Sequence, residues 1–143
     1  MSQAKKVFTR MCLNNWGGID HKVLEFHEYV NLFSGKSGSG KSTVMDAIQV
    51  ILYGSFSPSF LNKAADDAKN RRSVLSYLRG EQKDGSANRK DCDFCSVIAL
   101  EIEDTGTHII TCIGIAFEVR KSDSEIKKFV YFSHSGKMPE SEY

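Results

Sequence analysis

The chain has 143 residues, 41% hydrophobic and 26% charged, with a formal net charge of +1. That length fits one domain with a moderate core, and the near-neutral balance excludes a global drive toward nucleic acid or membrane, so any such partner must meet a local patch. No apolar run approaches the roughly 18 residues of a membrane span, and the basic start runs into an alternating pattern, not an apolar signal core, which points to the cytosol and to no membrane partner.

Val7, Thr9, Met11 and Leu13 alternate with Phe8, Arg10 and Cys12 and predict a first strand, broken at Asn14-Asn15-Trp16-Gly17-Gly18. Residues 23–26 predict a second, shorter strand and residues 29–33 a third. Directly after it stand Gly35, Lys36, Ser37, Gly38, Ser39, Gly40, Lys41 and Ser42, a complete G-x-x-x-x-G-K-S phosphate loop. The glycines let the backbone turn tightly and aim successive N–H groups at phosphate oxygens. Lys41 is placed to reach the β- and γ-phosphates, and the Ser42 hydroxyl to ligate Mg²⁺. Strand before and helix after distinguish this from a surface Gly/Ser turn, and they imply a nucleoside triphosphate with Mg²⁺ as ligand.

A helix is predicted from Thr43 to Tyr53 and stopped by Gly54. It is apolar on most sides, which predicts burial between two layers of sheet. Ser42, Thr43, Asp46 and Gln49 share one face, either as a solvated stripe or, for Asp46, in support of the phosphates. From 55 to 91 the apolar periodicity weakens and basic residues dominate, with short helices expected within 62–77 and an exposed loop over 80–89. This basic insertion is either a solvated loop or a nucleic-acid patch carried by Arg71, Arg72, Lys83, Arg89 and Lys90. Alternation returns over 94–102, 108–119 and 126–132, an antiparallel meander, and 135–143 reads as a coil tail.

Catalysis at a phosphate loop also needs an acid on the Mg²⁺ shell. Val97-Ile98-Ala99-Leu100-Glu101 comes closest, but Glu101 continues into Ile102-Glu103, the alternation of a half-exposed strand, and reads as a decoy. The chain therefore carries half of a catalytic site. Cys92 and Cys95 form a lone C-x-x-C pair without further ligands at zinc spacing, which reads as two ordinary thiols.

Three strands, the phosphate loop, a helix containing Asp46-Ala47-Ile48, a basic Leu78-Arg79-Gly80 loop and a meander together resemble the N-terminal lobe of SMC-like head ATPases within the ABC-type class. The resemblance covers residues 7 to about 133. Asn15-Trp16 and the stretches 62–65 and 76–80 look most like the MukB-like branch, with the JetC ATPase of Wadjet plasmid defence or MksB proteins as nearest types. Lys36-Ser37 stand where the typical condensin-like members have Pro-Asn. The resemblance implies an α/β fold, with a mixed sheet around the phosphate-loop helix plus the meander. It implies a longer protein, with a coiled coil and then a C-terminal lobe carrying the missing motifs. Arg79 matches the family's cis arginine that reaches ATP phosphates, and Asn15 and Trp16 fall where base and ribose are held, although a packed place at the strand end is the commoner role for a tryptophan such as Trp16. Implied partners are the chain's own C-terminal lobe, a second copy of the head, DNA and a kleisin-type subunit, in a nucleoid-associated setting. Two other readings stand beside it: a self-contained P-loop kinase or GTPase, and a non-catalytic nucleotide- or DNA-binding module.

Overall fold

The computed structural model describes residues 5–26, 41–54, 73–81 and 86–139, with 41 and 42 described by backbone alone. The expected third strand, loop residues 35–40 and Arg71, Arg72 and Lys83 lie outside the described residues. The described chain forms β1 (Lys6–Trp16), β2 (Ile19–Glu25), α1 (Lys41–Tyr53), α2 (Val74–Arg79), β3 (Phe94–Asp104), β4 (Ile110–Val119) and β5 (Lys128–Ser135). The strands make one five-stranded sheet in the order β2-β1-β3-β4-β5. Every neighbouring pair is antiparallel, so the mixed sheet expected from the sequence gives way to an antiparallel one among the described residues. The meander of β3, β4 and β5 is as expected, and β1 joins it to the β1–β2 hairpin.

The first strand does not break at Asn14 but runs through Trp16. Asn15 takes a positive φ of 54° and its side-chain amide donates to Cys95 O at 2.8 Å. Met11 and Leu13 alternate onto one face, and this irregular step lets Trp16 join them there. Gly17 then turns the chain with φ of 60°, the positive value that a two-residue hairpin turn of the primed kind requires at its first position. β2 begins earlier than expected because the hairpin register from Trp16↔Ile19 to Arg10↔Glu25 holds it more than burial of its own side chains does; among the described strands it lies at the sheet edge.

One sheet face carries both helices. Met11, Leu13, Trp16, Ile98, Leu100 and Ile115 pack there against Ala47, Val50 and Ile51 of α1 and Val74, Tyr77 and Leu78 of α2. Burying each large apolar side chain stabilises the fold by roughly 1.5–3 kcal/mol. Ser73 caps α2 by accepting from Ser76 N–H at 3.1 Å, and Gly80 ends it with φ of 68°. At the far end of α1, the Tyr131 hydroxyl donates to Gly54 O at 3.0 Å.

The helix does not present the expected sides. Asp46 is buried, whereas Met45, Leu52 and Tyr53 are exposed, so Asp46 faces inward and no second sheet layer covers those apolar side chains among the described residues. The opposite sheet face holds a smaller cluster of Cys12, Ala99, Cys112 and Met138. Here the tail differs from a free coil. Gly136 N–H donates to Ile110 O at 2.8 Å, and Met138 N–H donates to the Glu101 carboxylate at 2.6 Å. Residues 136–138 thus strap the back of the sheet, and Glu101 is buried beneath them instead of half-exposed.

Candidate functional site

Lys41 and Ser42, the last two residues of the phosphate loop, form the first turn of α1. The first backbone N–H groups of a helix have no partner within it and carry its positive dipole end, a suitable seat for phosphate oxygens. No acidic residue occupies this first turn to compete with an anion. The donor set that the described backbone presents there, with a lysine and a serine at 41 and 42, fits a Mg²⁺-bound triphosphate.

What holds this turn in place is a cluster on the helix face of the sheet. Trp16 Nε1 donates to Thr43 O at 2.9 Å, tying the end of β1 to the residue after Ser42. The indole stacks on Tyr77, with centroids 4.8 Å apart and planes 8° from parallel. The Tyr77 hydroxyl in turn donates to the Asp46 carboxylate. Gly17 N–H donates to Tyr77 O at 2.6 Å, which joins the hairpin turn to α2. A Cβ on Gly17 would stand 2.9 Å from Thr43 Cγ2, and one on Gly80 would stand 2.6 Å from Gly17 O, so the two glycines allow three chain segments to meet. Strand end, α2 and α1 are locked together one helical turn behind the phosphate site.

Arg89 completes the cluster. Its Nε donates to Leu78 O at 2.7 Å, Nη2 to Gly17 O at 2.6 Å and Nη1 to Asp20 Oδ1 at 3.2 Å, and its guanidinium lies 5.7 Å over the Phe94 ring. Burial pulls the Arg89 pKa below the usual arginine value, partly offset by Asp20 and Cys92. The planar fork matches two carbonyls and a carboxylate at once, which a lysine could not do. With 6% exposure it has no surface to offer DNA, so Arg89 leaves the candidate nucleic-acid set. Of that set, Lys90 is described and exposed.

Two further assignments change. Trp16 is 0% exposed with one face against Tyr77, so it cannot stack on a base; it is the packed strand-end residue. Arg79 turns its guanidinium to the β4–β5 connection, where Nη2 donates to Asp123 O at 2.5 Å and to Arg120 O and Lys121 O at 3.3 and 3.4 Å. It anchors that turn instead of standing free. Asn15 is engaged with Cys95 O.

Glu101 is equally committed. Thr9 Oγ1 donates to its Oε1 at 2.7 Å, Arg10 pairs with Oε2 at 3.3 Å, and Met138 N–H donates at 2.6 Å. Burial alone would raise its pKa, but the donors from Met138, Thr9 and Arg10 together with the Arg10 charge outweigh that and hold it below the ordinary glutamate value. It projects to the sheet face opposite α1, away from any metal beside Ser42. The four cysteines form no disulfide with one another; Cys92 and Cys95 are exposed and Cys12 and Cys112 are buried. Sequence reasoning missed Tyr77 and the role of Arg89. Its available signals were the Gly17-Gly18 turn directly after a lone tryptophan and an arginine closing an otherwise hydrophilic loop.

Residues 8–68 match the family model described as the P-loop containing region of AAA domain. The chain is also similar to the SbcC component of the SbcCD nuclease of Staphylococcus haemolyticus, at 39% identity over 74 residues. That match covers 49% of this chain and 6% of that protein, so the chain spans a small fraction of the relative's length. The likeness therefore runs to an SbcC protein and not to the MukB-like branch that the sequence motifs pointed to.

Proposed function

We propose that the chain is the ATP-binding N-terminal lobe of an SMC-like head ATPase of the SbcC kind. The observation that carries this is the complete phosphate loop ending in the first turn of a helix that is pinned to an antiparallel sheet. The similarity to an SbcC protein supports it. Among the described residues every strand pairing is antiparallel, which favours this reading over a self-contained P-loop kinase or GTPase, whose strand–loop–helix units belong in a parallel sheet.

In this reading the backbone N–H groups of the loop and of the first turn of α1 cradle the phosphates. Lys41 neutralises their charge, and Ser42 offers its hydroxyl to the Mg²⁺ that accompanies the nucleotide. Among the described residues nothing supplies a metal-shell acid, because Glu101 is buried on the other face of the sheet. Phosphoryl transfer relies on positioning and charge stabilisation, so half a site should accelerate it little. Turnover then requires a C-terminal lobe and a second copy of the head brought together by ATP. The relative is by name part of a nuclease, so a nuclease protein is the proposed further partner. DNA contact is proposed for Arg71, Arg72, Lys83 and Lys90, through phosphates and therefore with steep salt dependence and little sequence preference.

Calorimetric titration with Mg·ATP tests the core of this reading. The chain should bind, and Lys41→Ala should abolish binding by removing the cation facing the β- and γ-phosphates. Unchanged affinity in Lys41→Ala contradicts it. Steady ATP turnover by the 143-residue chain at about 1 s⁻¹ or more, within the range of complete enzymes, would instead favour the kinase or GTPase reading.

A further inference from the structure

We propose that Tyr77 and Asp46 are positioning residues for the bound nucleotide: the hydroxyl of α2 gripping the carboxylate of α1 sets the attitude of the helix whose first turn holds the phosphates. This deepens the ATP-binding reading and rests on it. Asp46 lies one helical turn after Ser42, on the same face, yet it is 3% exposed and directed to α2. A buried carboxylate is costly to keep unless it is hydrogen-bonded, so its presence fixes the relative placement of the two helices. Trp16 adds a second tie through Thr43 O, and its ring rests on the same Tyr77. Tyr77 therefore reaches the phosphate-loop helix by two routes, directly through Asp46 and indirectly through the indole.

Trp16 is the one tryptophan of the chain, so its emission reports on this contact. Mg·ATP titrations of the 143-residue chain, followed by calorimetry and by Trp16 fluorescence, test the proposal. Tyr77→Phe keeps the ring stack and removes only the hydroxyl. It should weaken Mg·ATP binding about tenfold, the equivalent of one lost hydrogen bond to a charged group, and reduce the emission change on binding. Asp46→Asn still accepts from Tyr77 and should lose about threefold or less, whereas Asp46→Ala should lose about tenfold. Melting curves establish that each variant is folded at the assay temperature. If Tyr77→Phe does not fold, the Asp46 pair and its emission changes decide. The proposal is overturned if folded Tyr77→Phe binds within twofold of wild type. It is also overturned if Asp46→Asn loses as much as Asp46→Ala, because the carboxylate would then act on the ligand by its charge. Wild-type protein that fails to bind Mg·ATP would overturn the ATP-binding reading and the positioning role with it.

Discussion

The two faces of the sheet bury polar groups in opposite ways. On the helix face the polar atoms serve an apolar cluster: Trp16 N–H, the Tyr77 hydroxyl and the Arg89 fork each satisfy a carbonyl or carboxylate at the edge of packed rings and aliphatic chains. On the back face the order is reversed. A single carboxylate, Glu101, gathers Thr9, Arg10 and the Met138 peptide, and only a thin apolar layer of Cys12, Ala99, Cys112 and Phe132 surrounds it. The helix face carries the phosphate-loop helix and needs rigidity there. The back face holds a strap, and a strap needs one strong pin. Large apolar area makes the first face costly to damage, and charge makes the second sensitive to pH.

The largest expected effect is on the helix face. Trp16→Ala removes a fully buried indole, its stack and its tie to Thr43, and should cost about 3–5 kcal/mol by denaturant unfolding. Arg89→Leu should follow at about 2–4 kcal/mol, since Gly17 O and Leu78 O lose their donor in a buried place. Asp20 adds little to that figure because its side chain is exposed. On the back face Glu101→Leu should cost about 1–3 kcal/mol and free residues 136–138 to limited proteolysis, with Mg·ATP affinity unchanged. If Glu101→Leu proves more damaging than Trp16→Ala, the ranking of the two faces is inverted.

Acid sharpens the same contrast. Glu101 is held below the ordinary glutamate value, so the folded chain binds this proton more weakly than the unfolded chain does. Its contribution is complete above the unfolded value of about 4.3 and fades as pH falls through the lower folded value. Melting temperatures between pH 3 and 7 should therefore drop less steeply in Glu101→Gln than in wild type. A steric effect of similar size is expected at Gly114, where a Cβ would stand 2.5 Å from Phe132 Cζ and 2.7 Å from Ile98 O; Gly114→Ala should cost about 1–3 kcal/mol. The smallest is at exposed Lys90, where Lys90→Ala should shift stability by no more than about 0.5 kcal/mol. If the basic stretch contacts DNA, the same substitution should reduce the salt slope of binding by about 1.

Much of this architecture is legible in the chain. Period-two alternation located β3, β4 and β5, and the apolar run ending at Gly54 located α1 to within two residues of its start. Alternation failed where the structure departs from local rules. Asn15 adopts a positive φ that no periodicity encodes, so the strand seemed to end before Trp16. Asp46 reads as either a solvated or a phosphate-supporting acid and Glu101 as half-exposed because burial of a carboxylate depends on donors far along the chain, Tyr77 for one and Thr9, Arg10 and Met138 for the other. Arg79 and Arg89 read as phosphate-contacting cations, of ATP and of nucleic acid, for the same reason, since their partners are mostly backbone carbonyls, which a sequence does not mark. The phosphate loop was readable because its chemistry depends on consecutive residues.

Hydrogen exchange with and without Mg·ATP, resolved by peptide, addresses the division between the two faces most directly. Bound nucleotide should slow exchange at the amides of the first two turns of α1, and at the 14–19 hairpin and 74–80 through the Trp16 and Tyr77 contacts. It should leave the strap at 136–139 unchanged. Protection confined to the strap, or none at the start of α1 when nucleotide is saturating, would contradict the account.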